Sequence, residues 1–225
     1  MFRLTYMADF TDENPSCVHR WSYTVEKDET SIVLPDGCLD ILVVSCVETG
    51  KDMLCATHWD FSPRPVALRA GLTLTGYRLR PGTMVDLPEL NAEVGNVSNL
   101  EAMINDAASP DQEITQIIEA LGLPESSVDG LARQQGVSER SLQRHFKSLS
   151  LPPPVFWRQL GRARRAVQAL PCRVPLSDIA LDYGYSDQAH MTREFVRWFG
   201  LTPAQLRQSP DVMKYLAEPG LGNWS

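Results

Sequence analysis

The strongest constraint on this chain is an internal repeat. Residues 131–146, LARQQGVSERSLQRHF, share one layout with IALDYGYSDQAHMTREF, which begins at Ile179. Leu131, Ala132, Gly136, Val137 and Ser138 correspond to Ile179, Ala180, Gly184, Tyr185 and Ser186, each 48 positions later. Leu142, Arg144 and Phe146 correspond to Met191, Arg193 and Phe195 at 49, so the second copy has gained one residue. Leu151 and Pro153 match Leu201 and Pro203 at 50. Chance seldom repeats glycine, capping, apolar and basic positions together.

Each copy has the pattern of two short helices joined by a tight turn. In the second, Leu176, Ile179, Ala180 and Tyr183 recur at helical spacing. Gly184 permits the turn, and Ser186 is placed to cap the next helix. Met191, Phe195 and Phe199 then line one side, with Gln188, His190 and Arg193 on the other. Gly200 stops the helix, and Thr202-Pro203 offers a cap followed by a proline suited to a first helical turn. This is a helix-turn-helix pattern. A plain helical core with a solvated outer face has the same periodicity, and the duplication is what favours a pair of DNA-reading units. Between the copies, Val155–Leu170 predicts a linking helix with Leu160, Ala163, Val167 and Leu170 on one face. Arg158, Arg162 and Arg165 line another, as a phosphate-contacting ridge or an ordinary solvated face.

The two units, the basic linking helix and the phrase IALDYGYSDQAHMTREFVRWFGLTPAQLR resemble the C-terminal DNA-binding domain of AraC-family bacterial transcription regulators. The resemblance covers roughly residues 125–208. It implies two recognition helices in successive major-groove segments of double-stranded DNA, and a contact with RNA polymerase. The first unit departs from the family pattern at Ser150, where a glycine is usual. Base edges are read by outward side chains near the start of a recognition helix. By position these are Arg140, Gln143 and Arg144 in the first unit, and Gln188, Ala189, His190 and Arg193 in the second. Arginine spans guanine O6 and N7, and glutamine spans adenine N6 and N7. Ser138, Lys147, Ser186 and Arg197 suit phosphate oxygens, which position the protein without reading sequence. Ala189 stands where a larger polar residue is often found.

The net charge of −7 looks wrong for a DNA-binding chain until it is divided. Residues 1–127 carry eight Lys/Arg and twenty Asp/Glu, whereas residues 128–208 carry twelve and six. Only the C-terminal part has the charge to meet phosphate.

Residues 1 to about 90 predict short strands. His19, Trp21, Tyr23 and Val25 alternate with Val18, Arg20, Ser22 and Thr24, which puts the aromatics on one face. Pro35-Asp36-Gly37 is a turn signal ahead of a buried strand, Cys38–Val47. Met53–Ala56, Pro65–Ala70 and Leu72–Leu79 supply more strands. LPDGCLDILV and GYRLRPG resemble, more weakly, the small β-rich N-terminal domain of some AraC-family regulators. That domain senses a small molecule, dimerises, or does both. Trp21, Tyr23, Asp40, His58, Trp59, Tyr77 and Arg78 are the candidate effector contacts, with core packing as the alternative for each. Asp40 needs a partner amid apolar residues: Arg78, Arg80 or a ligand.

Val94 to about Ala107 and Ser109–Leu121 predict two helices. The stripe Ile114, Ile117, Ile118 and Leu121 reads as a dimer helix or as a lid on the β domain. The expected fold class is therefore α+β in two domains. A β-rich barrel-like or sandwich domain with helices at its C-terminal end spans 1–122, an all-α tandem helix-turn-helix domain spans 125–210, and a tail covers 211–225.

No apolar run reaches about 18 residues, so no membrane span is expected. The start of the chain lacks a signal-peptide pattern, which leaves the cytoplasm as the default. The five cysteines, Cys17, Cys38, Cys46, Cys55 and Cys172, are expected as free thiols. Cys17-Val-His19 and Cys55-Ala-Thr-His58 raise a metal or thiol-sensing alternative, but the paired Cys-x3-Cys and Cys-x2-Cys spacing of the family's alkyl-accepting zinc module is absent. No metal or cofactor is expected. No nucleophile–base phrase points to an enzyme. A protein-docking use of the repeat would need apolar anchors where arginine and glutamine stand.

Overall fold

The computed structural model describes residues 17–85, 100–172 and 174–224. The acidic start of the chain and the first turns of the helix expected from Val94 lie outside these residues. The strands are β1 (Val18–Thr24), β2 (Glu29–Val33), β3 (Leu39–Cys46), β4 (Lys51–Ala56), β5 (Arg64–Leu68) and β6 (Leu72–Leu79). They form an antiparallel four-stranded sheet, in the order β1-β6-β3-β4, and a separate β2–β5 ribbon. This is the β-rich N-terminal half expected, built as two sheets.

Register sets the faces, because side chains alternate along a strand. On one face, His19, Arg78 and Asp40 lie abreast across β1, β6 and β3. The next rows are Trp21, Gly76 and Leu42, then Tyr23, Leu74 and Val44. Trp21 covers Gly76 so closely that a Cβ there would stand 2.1 Å from the indole. The opposite face carries Ile41, Val43, Leu54, Tyr77 and Leu79, buried against Leu100 and Ile104 of α1 (Leu100–Ala107). A short pair, β7 (Thr83–Val85) with β8 (Ala108–Pro110), follows.

Next comes α2 (Gln112–Leu121), capped by Asp111, whose side chain accepts from the Ile114 N–H. Its stripe is not a free dimer face; it touches the β half, where a Cβ on Gly82 would stand 3.1 Å from Ile118 Cδ1, but packs mainly on the helices of the repeat. Ile114, Ile117, Ile118 and Leu121 are buried in the same core as the helices of the repeat, where α2 packs on α5 (Pro154–Gln168). The approach is close at the end of α2. A Cβ on Gly161 of α5 would lie 2.6 Å from the Gly122 Cα. A surface buried this way is not free to dimerise.

The remaining helices are α3 (Val128–Gln134), α4 (Glu139–Ser148), α6 (Leu176–Asp182), α7 (Gln188–Phe199), α8 (Pro203–Arg207) and α9 (Pro210–Leu216). The α3–α4 and α6–α7 pairs are the two helix-turn-helix units, and α5 lies between them. Residues 211–224, expected as a tail, instead form the rest of α9 and a segment packed on the fold. Leu216 and Leu221 are 1% exposed, and the Leu221 N–H donates to the Asp36 carbonyl at 2.8 Å. The segment 217–224 thus ties the β half to the helical half. Among the described residues, no helix is long and apolar enough to cross a membrane.

Candidate nucleic-acid interface and ligand cavity

Both units turn in the same way. The N–H of Val137 bonds the Ala132 carbonyl across Gly136, and that of Tyr185 bonds Ala180 across Gly184. Both glycines have positive φ, +67° and +72°. The same closure ends α4, where Leu151 bonds Phe146 across Ser150. Ser150 adopts φ +57°, a left-handed conformation usually given to glycine.

Ser138 caps α4 through its bond from the Ser141 N–H. The expected cap of the second recognition helix needs correction. Asp187, not Ser186, caps α7 by accepting from the His190 N–H. The residue gained by the second copy falls between turn and helix, so the cap moves one place along. Ser186 instead meets His190 Nδ1 at 3.0 Å, and the imidazole stands edge-on to Tyr185. His190 is therefore half-buried and held by its own turn, rather than projecting freely.

The opposite faces of α4 and α7 are anchored. Leu142, Phe146, Met191 and Phe195 are at most 3% exposed. Arg140, Gln143, Arg144 and Lys147 are exposed on α4, as are Gln188, Ala189, Arg193 and Arg197 on α7, together with Ser138 and Ser186. Gln143 reaches Glu139, and Arg144 reaches Ser141 at 3.3 Å. Arg197 donates to Gln159 of α5 and lies over the Trp198 ring, so part of its reach is already used.

The linking helix does not present the arginine ridge that was one expectation. Arg162 is 4% exposed. It donates to the Gly184 carbonyl at 3.0 Å, pairs with Glu194 and stacks over Tyr185, and so braces the turn of the second unit. Burial, partly opposed by Arg162, raises the Tyr185 phenol well above its ordinary range. Arg158 donates to the Ser126 carbonyl ahead of the first unit. Arg164, 3% exposed, donates to the carbonyls of Leu216, Glu218 and Leu221 and to Asn223 Oδ1. These arginines are internal struts because helices surround α5 on several sides.

A second candidate site lies in the β half. A cavity of about 360 Å³ opens between the four-stranded sheet and the β2–β5 ribbon, with Tyr215 and Glu218 in its wall. Five of the seven expected effector contacts line it: Trp21, Tyr23, Asp40, His58 and Arg78. Two do not. Trp59 packs edge-on to Trp157 of α5, with ring centres 5.2 Å apart. It anchors the β half to the helical half, as Phe61 does against Phe156. Tyr77 is odd-numbered on β6 between lining residues of even number, so it points into the core beneath the sheet.

At the polar end, Arg78 is the partner Asp40 requires, at 3.2 Å. Trp21 Nε1 also donates to Asp40 at 2.8 Å. Arg80 pairs with Glu119 of α2 instead. Arg78 further pairs with Asp36 at 3.0 Å and donates to the Pro219 carbonyl at 3.1 Å. Burial alone would lower the Arg78 pKa, but Asp36 and Asp40 hold it well above the usual value. Burial, then the charge of Arg78, lowers His19. A bond to Glu29 is the main cause that pushes the Tyr23 phenol up to about 12. Periodicity did not identify Asp36, Tyr215 or Glu218 as lining residues. The LPDGCLD phrase held a usable signal for Asp36, a second carboxylate beside an apolar run.

The five cysteines are free thiols. Among the described residues, no group of three or more His, Cys, Asp or Glu could hold a metal ion. The metal or thiol-sensing alternative therefore gains no support.

Two exposed polar helices on a braced frame define a tandem helix-turn-helix protein with an appended β domain. Residues 131–209 match the family described as a helix-turn-helix domain. "Probable transcription factor PqrA" of Proteus vulgaris is 38% identical over 96 residues, covering 40% of this chain and 77% of that protein. The "Right origin-binding protein" of Escherichia coli K12 is 35% identical over 98 residues, 42% of this chain but only 33% of that one. A solved AraC-type transcriptional regulator from Chromobacterium violaceum is 31% identical, covering 47% of this chain and 89% of that one, with a TM-score of 0.36. The chain belongs to the AraC family of DNA-binding transcriptional regulators.

Proposed function

We propose that this regulator reads a specific double-stranded operator with Arg140, Gln143 and Arg144 of α4 and Gln188 and Arg193 of α7. Ser138, Lys147, Ser186 and Arg197 serve as phosphate contacts, and His190 contributes by shaping its turn. The observation that carries this reading is the double occurrence of an exposed polar face backed by a fully buried one. We divide the chain into a β domain over 1–122, in which α2 serves as a plate shared with the helices, and a DNA-binding domain over 125–210. The β domain takes up a small-molecule effector in the cavity beneath Trp21. The protein acts by binding rather than catalysis, in the cytoplasm, with RNA polymerase as the downstream partner that the family implies. Any homodimer contact lies away from the buried α2 stripe.

The test is a duplex selected from a random library, compared with single-base variants. Arg144→Ala costs roughly 1–3 kcal/mol on the selected duplex and relaxes preference at one base pair. Equal loss on every duplex would make Arg144 a phosphate anchor. Affinity falls steeply with salt as counterions are released, and a flat response would refute the DNA reading itself.

A further inference from the structure

Accepting the proposal that the cavity holds an effector, its charge inventory specifies the kind of molecule. Four carboxylates line it, Asp36, Asp40, Asp60 and Glu218, against two arginines, Arg64 and Arg78. Both arginines are already paired with carboxylates of the same wall. Arg78 spends Nε and Nη2 on Asp40 and Asp36, and Nη1 on the Pro219 carbonyl. Arg64 grips Asp60 through Nε at 2.8 Å and Nη2 at 3.3 Å. At Arg78 an anionic ligand would have to break a buried ion pair, which strands a charge, whereas the Arg64–Asp60 pair is half exposed and lies at the rim. Glu218, in contrast, lines the cavity and has no ion-pair partner among the described residues.

The walls away from this end are apolar, with Leu42, Val44, Val66, Leu68, Leu72 and Leu74 among them. The indole of Trp21 and the ring of Tyr23 stand on the same face of the sheet as Asp40. Aromatic rings attract a cation held near them, and more strongly when water is excluded.

We propose that the cavity binds an amphipathic organic cation, its ammonium directed to Asp40 and Glu218 and its apolar body along the sheet. Asp40 belongs to β3, whereas Glu218 follows α9, beyond the second helix-turn-helix unit. One ammonium shared by both would draw the 217–224 segment towards the β domain. That segment is also gripped by Arg164 of the linking helix, so occupancy bears directly on the frame that holds both recognition helices.

The test uses the full chain and three probes of matched length below their micelle concentrations: decylamine, decan-1-ol and decanoate. Calorimetry at neutral pH should rank them in that order, with decylamine at least tenfold tighter than decanoate. Glu218→Gln should weaken decylamine several-fold and leave decan-1-ol unchanged. Decanoate binding as tightly as decylamine overturns the cation assignment while leaving the cavity a ligand site. Binding of none of the three, with the protein shown folded by its thermal transition, overturns both.

Discussion

Replacing Arg164 by methionine tests whether the 217–224 segment is held chiefly by one guanidinium. Three of its bonds are well formed: Nε to the Leu221 carbonyl at 3.0 Å, and Nη2 to the Glu218 carbonyl at 3.1 Å and to Asn223 Oδ1 at 3.0 Å. Hydrogen bonds from a charged donor contribute about 1.5–3 kcal/mol each, so the gross loss is roughly 4–9 kcal/mol. Methionine keeps much of the stem packing and avoids burying a charge, which recovers several kcal/mol. Water reaching the released carbonyls limits the remaining cost. The net expectation is a loss of about 2–4 kcal/mol, concentrated in this segment. Hydrogen exchange followed by mass spectrometry reads it directly. The Leu221 amide, bonded to Asp36, should exchange at least about 30-fold faster, the equivalent of about 2 kcal/mol. Amides within α4 should change far less. Unchanged exchange at Leu221, together with an unchanged urea midpoint, would refute the reasoning. It would mean that the apolar seat of Leu221 holds the segment without the arginine.

Two further outcomes follow from backbone geometry. Ser150→Gly should stabilise the protein by about 0.5–1 kcal/mol, because relief of a left-handed serine exceeds the added freedom of the unfolded chain. Chemical denaturation checks this, and a loss of stability would show that the serine makes a compensating contact. Gly76→Ala should cost about 2 kcal/mol or more, since its Cβ would overlap the Trp21 ring and force the indole away from Asp40. The thermal midpoint and tryptophan fluorescence report it, and an unshifted emission spectrum would contradict the stacking.

The repeat made the helical half legible because each signal in it is local. Glycine at 136 and 184, a cap, and apolar residues at helical spacing act within one or two turns. The error at the second cap had a local cause too. The offset of 48 pairs Ser186 with the Ser138 cap, but the extra residue falls just after it, and Asp187 takes the capping role. Long-range partners were less accessible. Alternation along β1 placed Trp21 and Tyr23 correctly on one face, yet nothing near Trp59 in the chain indicates that Trp157 waits to receive it. The same gap explains Arg158 and Arg162. On a helical wheel they share a face that reads as solvated and basic, and only the elements packed around α5 show that each donates to a backbone carbonyl. The stripe on α2 was correctly read as apolar, but periodicity identifies a surface that must be covered without naming what covers it. The packed 217–224 segment gave little warning, being short and of mixed polarity.

That segment has a consequence for biosynthesis. Leu221 sits against Gly37 and Gly161 and bonds back to Asp36, so a strand-connecting turn made early in translation stays uncovered until residues near 221 emerge from the ribosome. Domains otherwise tend to fold in order of synthesis. In this protein the sheets can pair early, but the pocket between them acquires its last wall only after both helix-turn-helix units have been translated. A nascent chain would therefore carry an open, adhesive interior through most of its elongation, and the cavity would close only once the helices that meet DNA are already made.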